Sequence, residues 1–384
     1  MNSTQRLLTA LRHKIPDRVP WSALVNNYFL DVQEKKYKTM DMTSFLKYVG
    51  ADVFTWLGFN SVGKNVKVET YINGRLYKSQ EGGNWLNEFY DYLVGLDYYK
   101  GEDGRVVERR FITPVGVLSQ ECTFKASSNS VFISQFPIKK VEDYNVFAYM
   151  INDLEYEIDN DSIQKEVGRI GDNGLGVLFL HATPVYELIS CFVGLEPFHY
   201  LFSDYKKETI RLLNTMFDKY VECYKLYCQA RVSAILIPED TSTTLYSPGF
   251  FDSYLKPVIA EYCRIIKEAG KIPIIHACGH LKNLLKSLAA TGVECVESMS
   301  PPPTGNISVC EFKKMAPQVS VMGGIPATVF AADLLEFKDY VKNLLLTNKA
   351  GGNFILSSGD SVPADAKLDN IKAVPELIEE YGRY

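Results

Sequence analysis

The segment KIPIIHACGH, residues 271–280, holds two of the chain's five histidines and one of its eight cysteines. Its apolar run, Ile272 to Ile275, reads as a buried strand. His276, Cys278 and His280 follow where that strand ends. In extended backbone, residues at i and i+2 point the same way, so His276 and Cys278 can present an imidazole and a thiolate together. That donor pair suits Zn²⁺ better than Mg²⁺ or Ca²⁺. A catalytic zinc needs three protein ligands and keeps one position for substrate. Asp360 or Glu239 is expected as the third, since no cysteine ends either of their strands. His280, after Gly279, reads as the start of the next helix or as a group supporting the ligands.

Such side chains need elements to hold them. Beyond Lys139, apolar strands alternate with amphipathic helices. Strands are expected at 176–181, 234–238, 272–276, 292–297, 319–323 and 353–357. Helices are expected at 208–230, 250–269, 281–290 and 332–347. This order indicates parallel βα units. Two earlier strands, 19–25 and 52–59, bring the number to about eight and predict a (β/α)₈ TIM barrel. A doubly wound sheet is the weaker choice, because no GxGxxG or Walker A pattern follows a strand. Leu7, Leu8 and Leu11 predict an N-terminal helix stopped by Pro16. Asn73-Gly74 lies between alternating residues and predicts a hairpin, a theme repeated at Asp103-Gly104. The expected plan is one domain over 1–384, α/β in class, with an antiparallel β insertion at about 67–136 in the N-terminal third.

In a (β/α)₈ barrel the site lies at the C-terminal ends of the strands. Those ends carry Asn26 and Asn27, His181, Glu239 and Asp240, the 276–280 group, Glu297 and Asp360. Together they are expected to line one cavity, with Glu239, Asp240 and Glu297 as its candidate catalytic carboxylates. Plainer roles compete. Asp240, followed by Thr241 and Ser242, can cap a helix; Glu297 can be a solvated loop residue; Asp360 can hold a turn.

Composition narrows the partners. The chain is 46% hydrophobic and 23% charged, an ordinary enzyme-like balance. A net charge of −5 and a pI near 5.7 argue against nucleic acid or an anionic membrane surface as partner. No apolar run approaches the roughly 18 residues of a membrane span. The N-terminus lacks a secretory-signal pattern. Cysteines without a CxxC or a dense framework fit free thiols in a reducing cytoplasm.

Several segments carry a family resemblance: TALRHKIPDRVP, ITPVGVL, SPGFFDSYLKPVIAEY, IIHACGH, ESMSPPPTGNI, VSVMGGIP and ILSSGDSVPADAKLDNIKAV. In combination they resemble the uroporphyrinogen decarboxylase superfamily, and within it the corrinoid-dependent methyltransferases. The resemblance spans nearly the whole chain and implies a (β/α)₈ barrel. Thiol-methylating members hold zinc on His-x-Cys and a late cysteine. His276 and Cys278 match the pair, and Asp360 stands in place of the late cysteine. A demethylating sister group, similar around SSGDSVP and SPPPTGNI, more often uses carboxylate and histidine ligands, which keeps both Asp360 and Glu239 open.

The resemblance implies zinc-dependent methyl transfer between a small methylated substrate, a methoxylated aromatic being favoured, and the cobalt of a corrinoid on a partner protein. Tyr28, Phe29, Trp56, Phe59 and Trp85 could line a pocket for an aryl group. The alternative implied is cofactor-free uroporphyrinogen decarboxylation. Decarboxylases carry an arginine-rich N-terminal segment of the type RPxWxMRQAGR. This chain has RVPWSALVNNYF there, and no arginine between Arg18 and Arg75.

Overall fold

A computed structural model describes residues 1–90 and 101–384. In chain order its strands are β1 (Val53–Leu57), β2 (Asn60–Ile72), β3 (Arg75–Gly83), β4 (Val106–Thr113), β5 (Gly116–Lys125), β6 (Ser130–Gln135), β7 (Leu154–Glu157), β8 (Gly174–Phe179), β9 (Ala234–Ile237), β10 (Ile272–His276), β11 (Cys295–Met299), β12 (Ser320–Ile325) and β13 (Phe354–Ser358). They fall into two compact units. One comprises residues 1–58, 160–180 and 228–384; the other comprises 59–159 and 181–227.

The first unit is built on a parallel sheet in the order β1-β8-β9-β10-β11-β12-β13. Its strands are short apolar runs buried along nearly their whole length, as in β9, β11 and β13. Helices such as Lys256–Glu268, Leu334–Asn348 and Leu368–Tyr381 follow them, and burial on both faces is what parallel strands require. Leu7 and Leu11 of the Ser3–Leu11 helix pack with Phe54, Val177, Leu236, Ile274 and Ile355 in one core. This is the α/β barrel architecture expected from the alternation of elements.

One expected strand does not form. Residues 19–25 make a single parallel bridge, Trp21 to Leu356. Ser22 N–H donates to the Leu356 carbonyl at 3.1 Å, and Leu356 N–H donates to the Pro20 carbonyl at 2.9 Å. Pro20 has no N–H to extend the ladder, and the Leu24 N–H is taken by Ser358 Oγ at 2.9 Å. On the other side Asp52 N–H reaches the Trp21 carbonyl at 2.7 Å. An extended segment around Trp21 thus occupies the eighth place, between β13 and the start of β1.

The second unit holds an antiparallel sheet in the order β3-β2-β4-β5-β6, with β7 on β2. Asn73 (φ 47°) and Gly74 (φ 77°) make the expected β2–β3 hairpin turn, with Ile72 opposite Arg75. Both residues have positive φ, as a type I′ turn demands. The β4–β5 hairpin turns elsewhere, at Pro114-Val115, with Thr113 opposite Gly116. Asp103 instead accepts the Ala126 N–H at 2.8 Å, just before β4 begins. Val107, Cys122, Phe124 and Val131 form the sheet's own core. The antiparallel strands run from Asn60 to Gln135 with Leu154–Glu157 beyond, wider than 67–136; residues 91–100 of that stretch lie outside the described residues. Among the described residues, no helix is long and apolar enough to cross a membrane.

Candidate metal centre

β10 delivers His276 at its last position, and the chain then turns through Ala277 to Cys278. One ligand atom each from His276, Cys278 and Asp360 lies within 4.8 Å of the others. His276 and Cys278 are half-buried and Asp360 is exposed. One ion with bonds of roughly 2.0–2.3 Å is within reach of all three after small side-chain adjustments. Imidazole nitrogen, thiolate sulfur and carboxylate oxygen are together a zinc-type donor set, so these residues fit the ion. Asp360 also accepts the Ser361 N–H at 2.6 Å on Oδ1, which holds its turn.

The groups behind the cluster come from neighbouring strands. His276 and Glu297 face each other in the parallel β10–β11 register. Glu297, buried, places Oε2 2.7 Å from His276 Nδ1. A carboxylate on the second ring nitrogen is the usual backing of a metal-bound histidine. Burial works to lower the His276 pKa, but Glu297 and Cys278 outweigh it, so without metal the imidazole is held well above its ordinary value. Cys278 Sγ lies 3.7 Å from Asp240 Oδ1. Burial pushes both of these groups up, and His276 beside them offsets part of the rise.

Glu239 is placed differently. It is fully buried and accepts the Tyr246 hydroxyl at 2.9 Å; that hydroxyl also lies 2.6 Å from the Asp240 carbonyl. It stands outside the His276–Cys278–Asp360 cluster. His280 is joined through its backbone: its N–H donates to Ser242 Oγ at 2.9 Å and its carbonyl accepts from Thr243. Asn26 caps the short Asn27–Asp31 helix by accepting the Phe29 N–H.

His181 belongs to the second unit and has its own partners there. It is buried, stacked on Tyr220 at 3.7 Å, with Nδ1 3.0 Å from Glu187 Oε1 and Nε2 2.9 Å from the Tyr156 hydroxyl. Tyr220 also donates to Glu187. Nothing in the sequence order of 156, 181, 187 and 220 signals this group. Of the aromatic candidates, Phe29 and Trp85 are core residues, packed on Phe45 and on Phe89 respectively. Phe59 lies against His181 at 4.6 Å. Trp56 keeps 40% of its surface exposed beside Phe179.

Known proteins are similar to this chain in fold and family. A methyltransferase from Methanosarcina mazei superposes with a TM-score of 0.64 at 15% identity, covering 99% of this chain and 99% of that chain. At that identity it shows the fold. A GH5-4 broad specificity endoglucanase from an uncultured bacterium reaches only 0.33 at 9% identity, over 63% of this chain and 85% of that one, too slight to argue from. No curated protein matches the chain. The family model described as uroporphyrinogen decarboxylase (URO-D) matches residues 186–381, just over half of the chain and the stretch that carries β9 to β13. The chain belongs to the uroporphyrinogen decarboxylase family.

Proposed function

We propose that this chain is a zinc-dependent methyltransferase of that family, moving a methyl group between a small methylated substrate and the cobalt of a corrinoid on a partner protein. The observation that carries the reading is that His276 and Cys278, after β10, and Asp360, after β13, bring their ligand atoms within 4.8 Å of one another. The solved methyltransferase of like fold supports it. Eight free cysteines fit the reducing, cytoplasmic setting that such chemistry needs.

His276, Cys278 and Asp360 would hold the ion, which when bound supplies Lewis acidity toward the donor's heteroatom. Glu297 holds the Nδ1 side of His276, so the ring would offer Nε2 to the ion. Asp240 accepts the Cys278 S–H at 3.7 Å while that sulfur is a thiol. Glu239, tied to Tyr246, steadies the loop after β9 on which Asp240 sits. We favour a methoxylated aromatic as donor.

The test is anaerobic methylation of Co(I) cobalamin, or of a corrinoid protein, followed by its absorbance change across methyl ethers, amines and thiols. Methylation with at least one donor supports the reading. No methylation with any donor, together with decarboxylation of uroporphyrinogen, replaces it with the decarboxylase activity for which the family is named. That second reading has little help from the N-terminal region. Arg6 and Arg18 both pair with the buried Asp52 and are committed to structure.

A narrower expectation concerns the third ligand. Asp360→Ala should weaken Zn²⁺ binding by at least the roughly 10–100-fold seen for lost outer-shell partners. Asp360→Cys should keep the ion and add sulfur-to-metal charge-transfer intensity to the Co²⁺-substituted spectrum. Unchanged affinity in Asp360→Ala would move the third ligand elsewhere.

A further inference from the structure

The strand that carries Glu297 is distorted at that residue. β11 and β12 run in register at Cys295↔Ser320 and Val296↔Val321, then slip so that Met299 meets Gly323. One extra residue on β11 makes this a β-bulge, a device that re-aims side chains beside functional sites. Ser298 lies inside it with φ 59°, in the left-handed region that a residue with a side chain takes only at a cost. Across the bulge, Gly323 (φ 147°) cannot be replaced without a backbone shift. A Cβ there would sit 2.2 Å from the Met299 carbonyl oxygen and 2.7 Å from its nitrogen.

The distortion has a local product. In a regular strand, Ser298 would point to the face opposite Glu297. Here its hydroxyl donates to Glu297 Oε1 at 2.7 Å, while Oε2 faces His276 Nδ1 at 2.7 Å. Glu297 and Ser298 are both buried. A carboxylate held by one oxygen can swing about its side-chain torsions; held by both, it has one orientation.

We propose that Ser298 and Gly323 form a positioning device for the candidate metal centre. The bulge fixes the Glu297 carboxylate to accept a hydrogen bond from His276 Nδ1–H, which keeps the proton on Nδ1 and so leaves Nε2 as the electron-pair donor to the ion. Neither residue touches the ion; both act through Glu297. This rests on the metal reading above and accounts for two sequence segments, ESMS and VMGGIP, that the ligand set alone leaves without a role.

The test is Ser298→Gly, which removes the hydroxyl and relieves the left-handed strain. A merely structural bulge would leave metal binding unchanged and show itself only in thermal stability. The positioning device predicts the reverse: thermal stability equal to or above the starting protein, Zn²⁺ affinity by chelator competition lower by roughly tenfold, and a shifted Co²⁺ visible spectrum. Gly323→Ala should lower affinity too, with Ser298 intact. If Ser298→Gly does not fold, Ser298→Ala reports the same lost hydroxyl with Cβ kept. A starting protein that binds the ion, with a Ser298→Gly variant of equal affinity and identical Co²⁺ spectrum, overturns the positioning role and leaves the metal reading standing. A starting protein that binds neither Zn²⁺ nor Co²⁺ overturns both.

Discussion

Cys278→Ala protein is expected to lose nearly all of its zinc on dialysis against a weak chelator, while the unaltered chain keeps about one ion. The substitution removes the only sulfur of the cluster and leaves His276 with the exposed carboxylate of Asp360. Two ligands, one of them in water, do not hold zinc against a competitor. The affinity loss should be at least the roughly 10–100-fold that outer-shell changes produce. Stability should move little, by about 1 kcal/mol or less, because Cys278 is half-buried in a loop and fills no core position. Metal analysis and a thermal melt on the same sample separate the two effects. Cys310→Ala, at an exposed thiol outside the cluster, is the control and should keep its zinc. Full zinc occupancy in Cys278→Ala would place the site elsewhere.

Arg6→Ala should be the most destabilising of these substitutions. Arg6 Nη1 lies 2.6 Å from Oδ1 of the fully buried Asp52, and its Nε lies 2.8 Å from Asp17 Oδ1. Without Arg6, Asp52 keeps the Trp21 N–H at 3.0 Å and Arg18 at 3.6 Å. Removing one partner of a buried pair costs about 3–5 kcal/mol, and the remaining Arg18 puts the expectation at the lower end of that range. The segment around Trp21 that completes the barrel hangs on the same aspartate, so the loss reaches the sheet. A pH signature accompanies it. The Arg6 guanidinium holds Asp17 well below its ordinary value of 3.8, with help from the N-terminal ammonium. A depressed folded pKa gives stability that is present above the ordinary value and lost as pH falls through the folded one. The acid-unfolding midpoint of Arg6→Ala should therefore lie at higher pH than that of the unaltered chain. An unchanged melting temperature and acid midpoint would show that Arg6 does not anchor Asp52.

Much of the candidate metal site is legible in the amino-acid order alone. His276 and Cys278 follow directly from local rules: an apolar run sets a strand, and alternation puts i and i+2 on one side. The parallel strands are legible for the same reason, with boundaries within a few residues, as at β9, β10 and β13. The Asn73-Gly74 turn is legible because positive φ at both positions is a local demand.

What only the tertiary structure decides concerns partners far apart in the chain. Local rules do not separate Asp360 from Glu239, since each is an acid after an apolar run; only the family resemblance, with Asp360 in place of the late cysteine, favours Asp360 by a small margin. The fold turns Asp360 to His276 and Cys278, and gives Glu239 to Tyr246. Glu297 has the sequence context of a possible loop acid, yet the β10–β11 register and the bulge at Ser298 aim it at His276. The stretch at 19–25 has strand composition, but Pro20 and the side chain of Ser358 limit it to one bridge. His181 ends an apolar run, and its partners Glu187, Tyr156 and Tyr220 come from elements that the sequence does not mark as neighbours. Periodicity encodes which way a side chain points within its own element. Which side chain it then meets depends on strand register, a bulge and a missing donor, each set by packing between segments tens to hundreds of residues apart.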